Sequence, residues 1–172
     1  MTDMQPSLIT DEVAQSIELS VLCWLATVAE DGSPNVSPKE AFLHDGQGRI
    51  LIAHIASPQS VRNIQHDPRV CLSFIDVFTQ RGHKIRGEAR LLTEDDARYE
   101  NQKSLLAQLV GERFPIRGVI EVQPTAVEEI IAPSYRLFPN TTTRQMVAEA
   151  RTTYRVAEYQ EMGNDCKLPV QQ

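Results

Sequence analysis

The chain has 172 residues, a length that suits one domain with a sizeable core and falls short of two. Apolar residues make up 41% and charged residues 23%, as in an ordinary globular protein, and a net charge of −6 excludes the broad basic surface that nucleic acid requires. Cys23, Cys71 and Cys166 are odd in number and lack paired spacing, which argues against a disulfide scaffold or a zinc finger.

Met1 to Pro6 carry neither a positive region nor an apolar one, so a secretory leader is not expected, and no apolar run reaches membrane-spanning length. The expectation is a cytoplasmic protein with no membrane and no nucleic-acid partner. Thr10 with Asp11 and Glu12 reads as a capped helix start, and Val13, Ala14, Ile17 and Val21 keep helical spacing over 11–21. Cys23 to Ala29 is a strand, turned by Asp31-Gly32 into a return strand over Asn35 to Leu43. Pro38 within it has no N–H for a ladder, so that strand is an edge or a bulge. After the turn at His44 to Gly48 comes a third strand, Arg49 to Ala56.

Ser57-Pro58 opens a short helix, with Ser as N-cap and Pro in the first turn, and Asp67-Pro68 closes it. Val70 to Val77 and His83 to Leu92 are the fourth and fifth strands. A helix is expected over Glu94 to Val110, opened by a capping arrangement at Thr93. Val119 to Ile131 reads as a sixth strand interrupted at Pro124, and Thr143 to Tyr159 as a further helix, before a polar end from Gly163. The expectation is one domain over 1–172, with a barrel and its helices in 11–132 and a helical extension in 133–172. Its fold class is mainly β with flanking helices, a six-stranded antiparallel barrel.

Two places carry chemistry. At Ala56 to Asn63 a helix start offers backbone N–H groups and partial positive charge, with Ser57, Ser60 and Arg62 as further donors; a plain capped connecting helix explains the same residues. At Val36 to Phe42 the proline leaves backbone groups free for a ligand, or the stretch is simply an irregular edge. His44, His54, His66 and His83 lack metal-ligand spacing, so no metal site is expected, and no side chain stands out as a catalytic acid, base or nucleophile.

Leu25 to Val28, Asp31 to Pro34, Arg49 to Ala53, Arg62 to Ile64, Asp67 to Val70 and Ile85 to Ala89, in this order and spacing, resemble the FMN-binding split-barrel family related to pyridoxamine phosphate oxidase. The resemblance implies a split barrel and a homodimer with FMN at the interface. It implies that Ser37, Pro38, Lys39, Glu40, Ala41 and Phe42 line the flavin ring and ribityl chain, with Ala53 and His54 beside the ring. Ser57, Ser60, Arg62 and Asn63 are implied around the phosphate. The chain departs from the vitamin-forming oxidases: Ser37 and Phe42 replace basic residues, and Pro58-Gln59 replaces an Arg-Lys pair. Tyr135 to Pro139 also lead into a segment lacking the substrate-holding Trp and Arg-x-His. The resemblance is therefore closer to the shorter flavin-nucleotide-binding relatives. It implies an FMN-dependent oxidoreductase acting on a small molecule or a nicotinamide donor. The alternatives are a non-catalytic flavin-binding or storage protein, or the same barrel holding haem or a deazaflavin.

Overall fold

The structure, a computed structural model, describes residues 7–111 and 114–156; residues 157–159 of the helix expected over 143–159, the polar end from Gly163 and Cys166 lie outside the described residues. Helix α1 is Asp11–Leu19, capped where Val13 N donates to Thr10 Oγ1 at 3.4 Å, and it buries Val13 and Ile17. Strands β1 (Cys23–Val28) and β2 (Pro34–Lys39) form the expected hairpin. Gly32 takes φ +83° in its turn, and Asp31 Oδ1 accepts from Ser33 N at 2.9 Å. Then follow β3 (Phe42–His44), β4 (Ile50–His54), α2 (Pro58–His66), β5 (Arg69–Asp76), β6 (Arg81–Leu92), α3 (Tyr99–Val110) and β7 (Gly118–Ile131).

The strands make one sheet in the order β2-β1-β5-β6-β7-β4-β3. Its register pairs Leu25 with Ser37 and with Leu72, and Ile52 with Phe42 and with Ile120, all antiparallel. The two outermost strands, β2 and β3, are separated in the chain by Glu40 and Ala41 alone. Three Cα steps reach roughly 11 Å at most, so the sheet has to curl until its own edges nearly meet. A half-closed, split barrel results.

The expected six strands become seven at this point. The stretch read as one return strand pairs with β1 as far as Lys39, then leaves and pairs with β4 from Phe42. Pro38 is accommodated because β2 is an edge. The interruption expected at Pro124 is absent, and β7 runs unbroken for 14 residues. Helix α3 starts at Tyr99 and not at Glu94: Asp96 N donates to Thr93 O at 2.8 Å in a turn, and Asp96 Oδ1 accepts from Arg98 N.

Alternation along the strands turns Leu25, Leu72, Phe74, Ile85, Ile52 and Ile120 into the barrel interior, where they are fully buried; burial of each such side chain contributes about 1.5–3 kcal/mol. The Phe42 and Phe74 rings meet edge to face at 5.3 Å. A second cluster, Leu51, Ala53, Leu92, Tyr99, Leu106 and Val119, packs on the other side of β4 and β7.

The chain divides into two units, the barrel (to Ile75, and Gly82–Ile130) and a smaller unit of Asp76–Arg81 with the chain from Ile131. The smaller unit holds α4 (Pro133–Leu137), which buries none of its residues, and α5 (Thr143–Thr153), which buries Met146 and Ala150. Tyr135 Oη donates to Thr79 O at 3.0 Å under the Arg81 guanidinium. A capping box at Thr142 and Gln145 starts α5.

Candidate ligand site

The break between β2 and β3 opens a cavity of about 600 Å³ in the barrel unit. Its walls are Pro38, Lys39, Glu40 and Ala41 from the break, Ala53 to Ser57 except His54 from the β4–α2 junction, and Leu109, Val110 and Phe114 from the end of α3 and beyond; Val21 completes it. The cavity is thus mostly apolar with two charged groups, Lys39 and Glu40.

Lys39 is only 5% exposed. Its Nζ donates to Ser57 Oγ at 2.6 Å, and among the described residues it makes no ion pair. Burial pushes its pKa down. The neighbouring Cys23 is no counter-ion, because burial raises its thiol to about 12. Glu40 is exposed. A buried ammonium that uses one of its three donors on a neutral hydroxyl is costly, and an anion arriving in the cavity offsets that cost.

This pairing changes the role expected of Ser57. It occupies the N-cap position of α2, but its side chain makes no cap hydrogen bond and faces Lys39 instead. Pro58 has no N–H to offer, but the N–H groups that follow it in the first turn of α2 have no side-chain cap.

The other expected residues sit around this centre. Ser37 Oγ and Ser60 Oγ lie 2.9 Å apart, joining β2 to α2. Asn63 is buried, donates to Thr27 Oγ1 at 2.9 Å and accepts from Gln59 Nε2 at 2.7 Å. Ser60 and Asn63 therefore brace α2 against the sheet, and neither lines the cavity. Arg62 donates to Gln59 Oε1 on its own helix at 2.6 Å. Phe42 is turned into the barrel core. His54 follows Ala53, and its Nδ1 is buried without a hydrogen-bond partner. Burial lowers the His54 pKa, and the charges of Lys39 and Arg117 lower it further.

Sequence reasoning missed Val21, Ile55, Leu109, Val110 and Phe114, and placed Ala56 at the junction without a contact of its own. The exposure of Leu109 and Phe114 is visible only after folding, because both keep the apolar character of core positions. Among the described residues no group of three His, Cys, Asp or Glu side chains is placed to hold a metal ion, and no helix is long and apolar enough to cross a membrane.

The sequence model described as pyridoxamine 5′-phosphate oxidase matches residues 9–131. No curated protein matches the chain closely enough to count as a relative. Among solved structures the chain is similar to HupZ of Group A Streptococcus, with 26% identity, TM-score 0.61, and 69% of this chain and 91% of that one covered. It is similar in fold to an FMN-binding protein of Syntrophomonas wolfei, with 12% identity, TM-score 0.61, and 71% and 86% covered. It is also similar in fold to HutZ, the haem storage protein of Vibrio cholerae, with 21% identity, TM-score 0.55, and 73% and 95% covered.

Proposed function

The chain belongs to the pyridoxamine 5′-phosphate oxidase family, and from that premise we propose that it is a cytoplasmic FMN-binding oxidoreductase that works as a homodimer on a small molecule or a nicotinamide donor. The observation that carries this reading is the buried Lys39, which bonds Ser57 and makes no ion pair among the described residues, in the wall of a mostly apolar cavity. A flavin mononucleotide has the matching parts: an apolar planar ring and an anionic end. The residues present fit it.

In this reading Lys39, Ser57 and the start of α2 hold the phosphate, and Arg62 adds charge from the next turn. Pro38, Glu40, Ala41 and Ala53 line the ring and ribityl chain, flanked by His54. Ser37, Ser60, Asn63 and Phe42 act from beneath, fixing β2, α2 and β3 in place. FMN supplies the electron transfer; the chain binds it, orients it and excludes water from it.

Dimer formation is supported by the outer face of β1 and β2. Trp24 is 44% exposed and Val36 56% exposed, with Pro38 next to Trp24 in register. That apolar face ends at the cavity, since Pro38 belongs to both, so a second copy seated there completes the open wall.

The test is the visible spectrum of the purified protein, before and after FMN is added and the excess removed by desalting. A retained two-band flavin spectrum is expected. A protein that retains no FMN overturns the reading. The likeness to HutZ favours haem as the second reading, although no histidine lines the cavity among the described residues; a Soret band after haem addition, lost on replacing His54, distinguishes it.

A further inference from the structure

We propose that Arg117, which neither the motifs nor the cavity lining assigned, is the second cation of this site, and that with Lys39 it selects a doubly charged phosphate monoester over ligands with a neutral or singly charged end. The inference rests on the flavin mononucleotide reading and names what decides its specificity.

The geometry begins with the chain between α3 and β7. Phe114 lines the cavity. Three residues later Arg117 N donates to His54 O at 2.9 Å, and His54 pairs with Gly118 in the sheet register. The backbone of Arg117 is thereby fastened to the end of β4, between Ala53 and Ser57, both of which line the cavity. Its side chain is exposed and makes no ion pair among the described residues. The same holds for the ion pairing of Lys39, whose ammonium is buried on the same junction through Ser57. Burial disfavours protonation of His54, and the charges of Lys39 and Arg117 disfavour it further, so the field of both cations reaches the residue to which the Arg117 backbone is fastened. On a chain of net charge −6, two cations at one junction that make no ion pair among the described residues, beside the exposed Glu40, are a local exception.

The charge count gives the ligand class. The charges of Lys39 and Arg117, with roughly half a charge from the uncapped start of α2, outweigh the exposed carboxylate of Glu40, so attraction to the junction grows with the negative charge of the ligand. A phosphate monoester at neutral pH carries close to two negative charges, whereas a phosphodiester or a carboxylate carries one and an alcohol none. The guanidinium also offers paired donors in the fork that matches phosphate oxygens. A terminal phosphate therefore fits this junction better than a bridging one.

The experiment compares the full chain with Arg117→Ala and Arg117→Lys, measuring dissociation constants for FMN, riboflavin and inorganic phosphate by calorimetry at constant ionic strength. Native protein is expected to prefer FMN over riboflavin. In Arg117→Ala that preference falls roughly tenfold with riboflavin affinity unchanged, phosphate binding weakens in parallel, and Arg117→Lys keeps most of both. An FMN affinity unmoved by Arg117→Ala overturns the proposal while leaving the flavin reading intact. Equal losses for FMN and riboflavin overturn it too, because they indicate a damaged cavity. If neither flavin binds but phosphate binds and weakens on Arg117→Ala, the proposal stands for phosphate esters and the flavin reading fails. Absence of binding by all three probes overturns both.

Discussion

At the scale of single residues the decisive group is Lys39. Its ammonium is buried and makes no ion pair among the described residues, a cost in stability that the proposed ligand would offset. Replacing Lys39 by Met is expected to raise the unfolding free energy of the ligand-free protein by about 1 kcal/mol and to weaken FMN at least tenfold. Urea unfolding and calorimetry check the two halves; a destabilised Lys39→Met protein would show that the ammonium is already satisfied. The pH dependence has a separate source. The Arg69 guanidinium beside Asp67 holds that carboxyl down to about 2, below its value in an unfolded chain, near 4. A folded pKa below the unfolded one stabilises the native state above pH 4 and loses that contribution as pH falls from 4 towards 2. An NMR titration of the Asp67 carboxyl tests this, with a midpoint near 4 as the contrary result.

At the scale of elements, the site depends on how α2 is moored. Asn63 reaches back to Thr27 of β1, and Asn35 of β2 donates to the same hydroxyl at 3.2 Å. Asn63→Ala leaves buried hydrogen-bonding capacity unmet and is expected to cost about 1–3 kcal/mol of stability. The same variant loosens the start of α2, so its FMN affinity falls as well. Denaturant midpoints set beside binding constants check that coupling; a stability unchanged within error would exclude it. Strands β6 and β7 impose a different constraint. A Cβ on Gly87 would stand 2.5 Å from Gln123 O, in backbone that has no room to give. Gly87→Ala is expected to destabilise the barrel by about 1–3 kcal/mol through overpacking, readable as a lowered Tm.

At the scale of the whole molecule, the uncovered apolar face of β1 and β2 predicts association. Trp24→Glu places a charge at its centre. The native protein is expected to be a dimer by light scattering at micromolar concentration, and Trp24→Glu a monomer with weakened flavin retention. A native monomer, or a variant that remains dimeric, would place the partner elsewhere.

Most of the element order was legible in the sequence, apart from the split of β2 from β3 and the short α4, because it rests on local rules: Thr10 before acids, Asp31-Gly32 between apolar runs, and Pro58 and Pro68 around one short helix. The family was legible for the same reason, since its marks are short motifs in a set order. Hydrophobic pattern could not show that residues 35–43 exchange one partner strand for another at Glu40 and Ala41, because alternation is the same whichever neighbour is paired. Nor could it show that Ser57 turns from its own helix to Lys39, that Asn63 points inward, or that Leu109 and Phe114 face a cavity. Each of those is a contact between residues distant in the chain, and closing the sheet on itself is what brings them together.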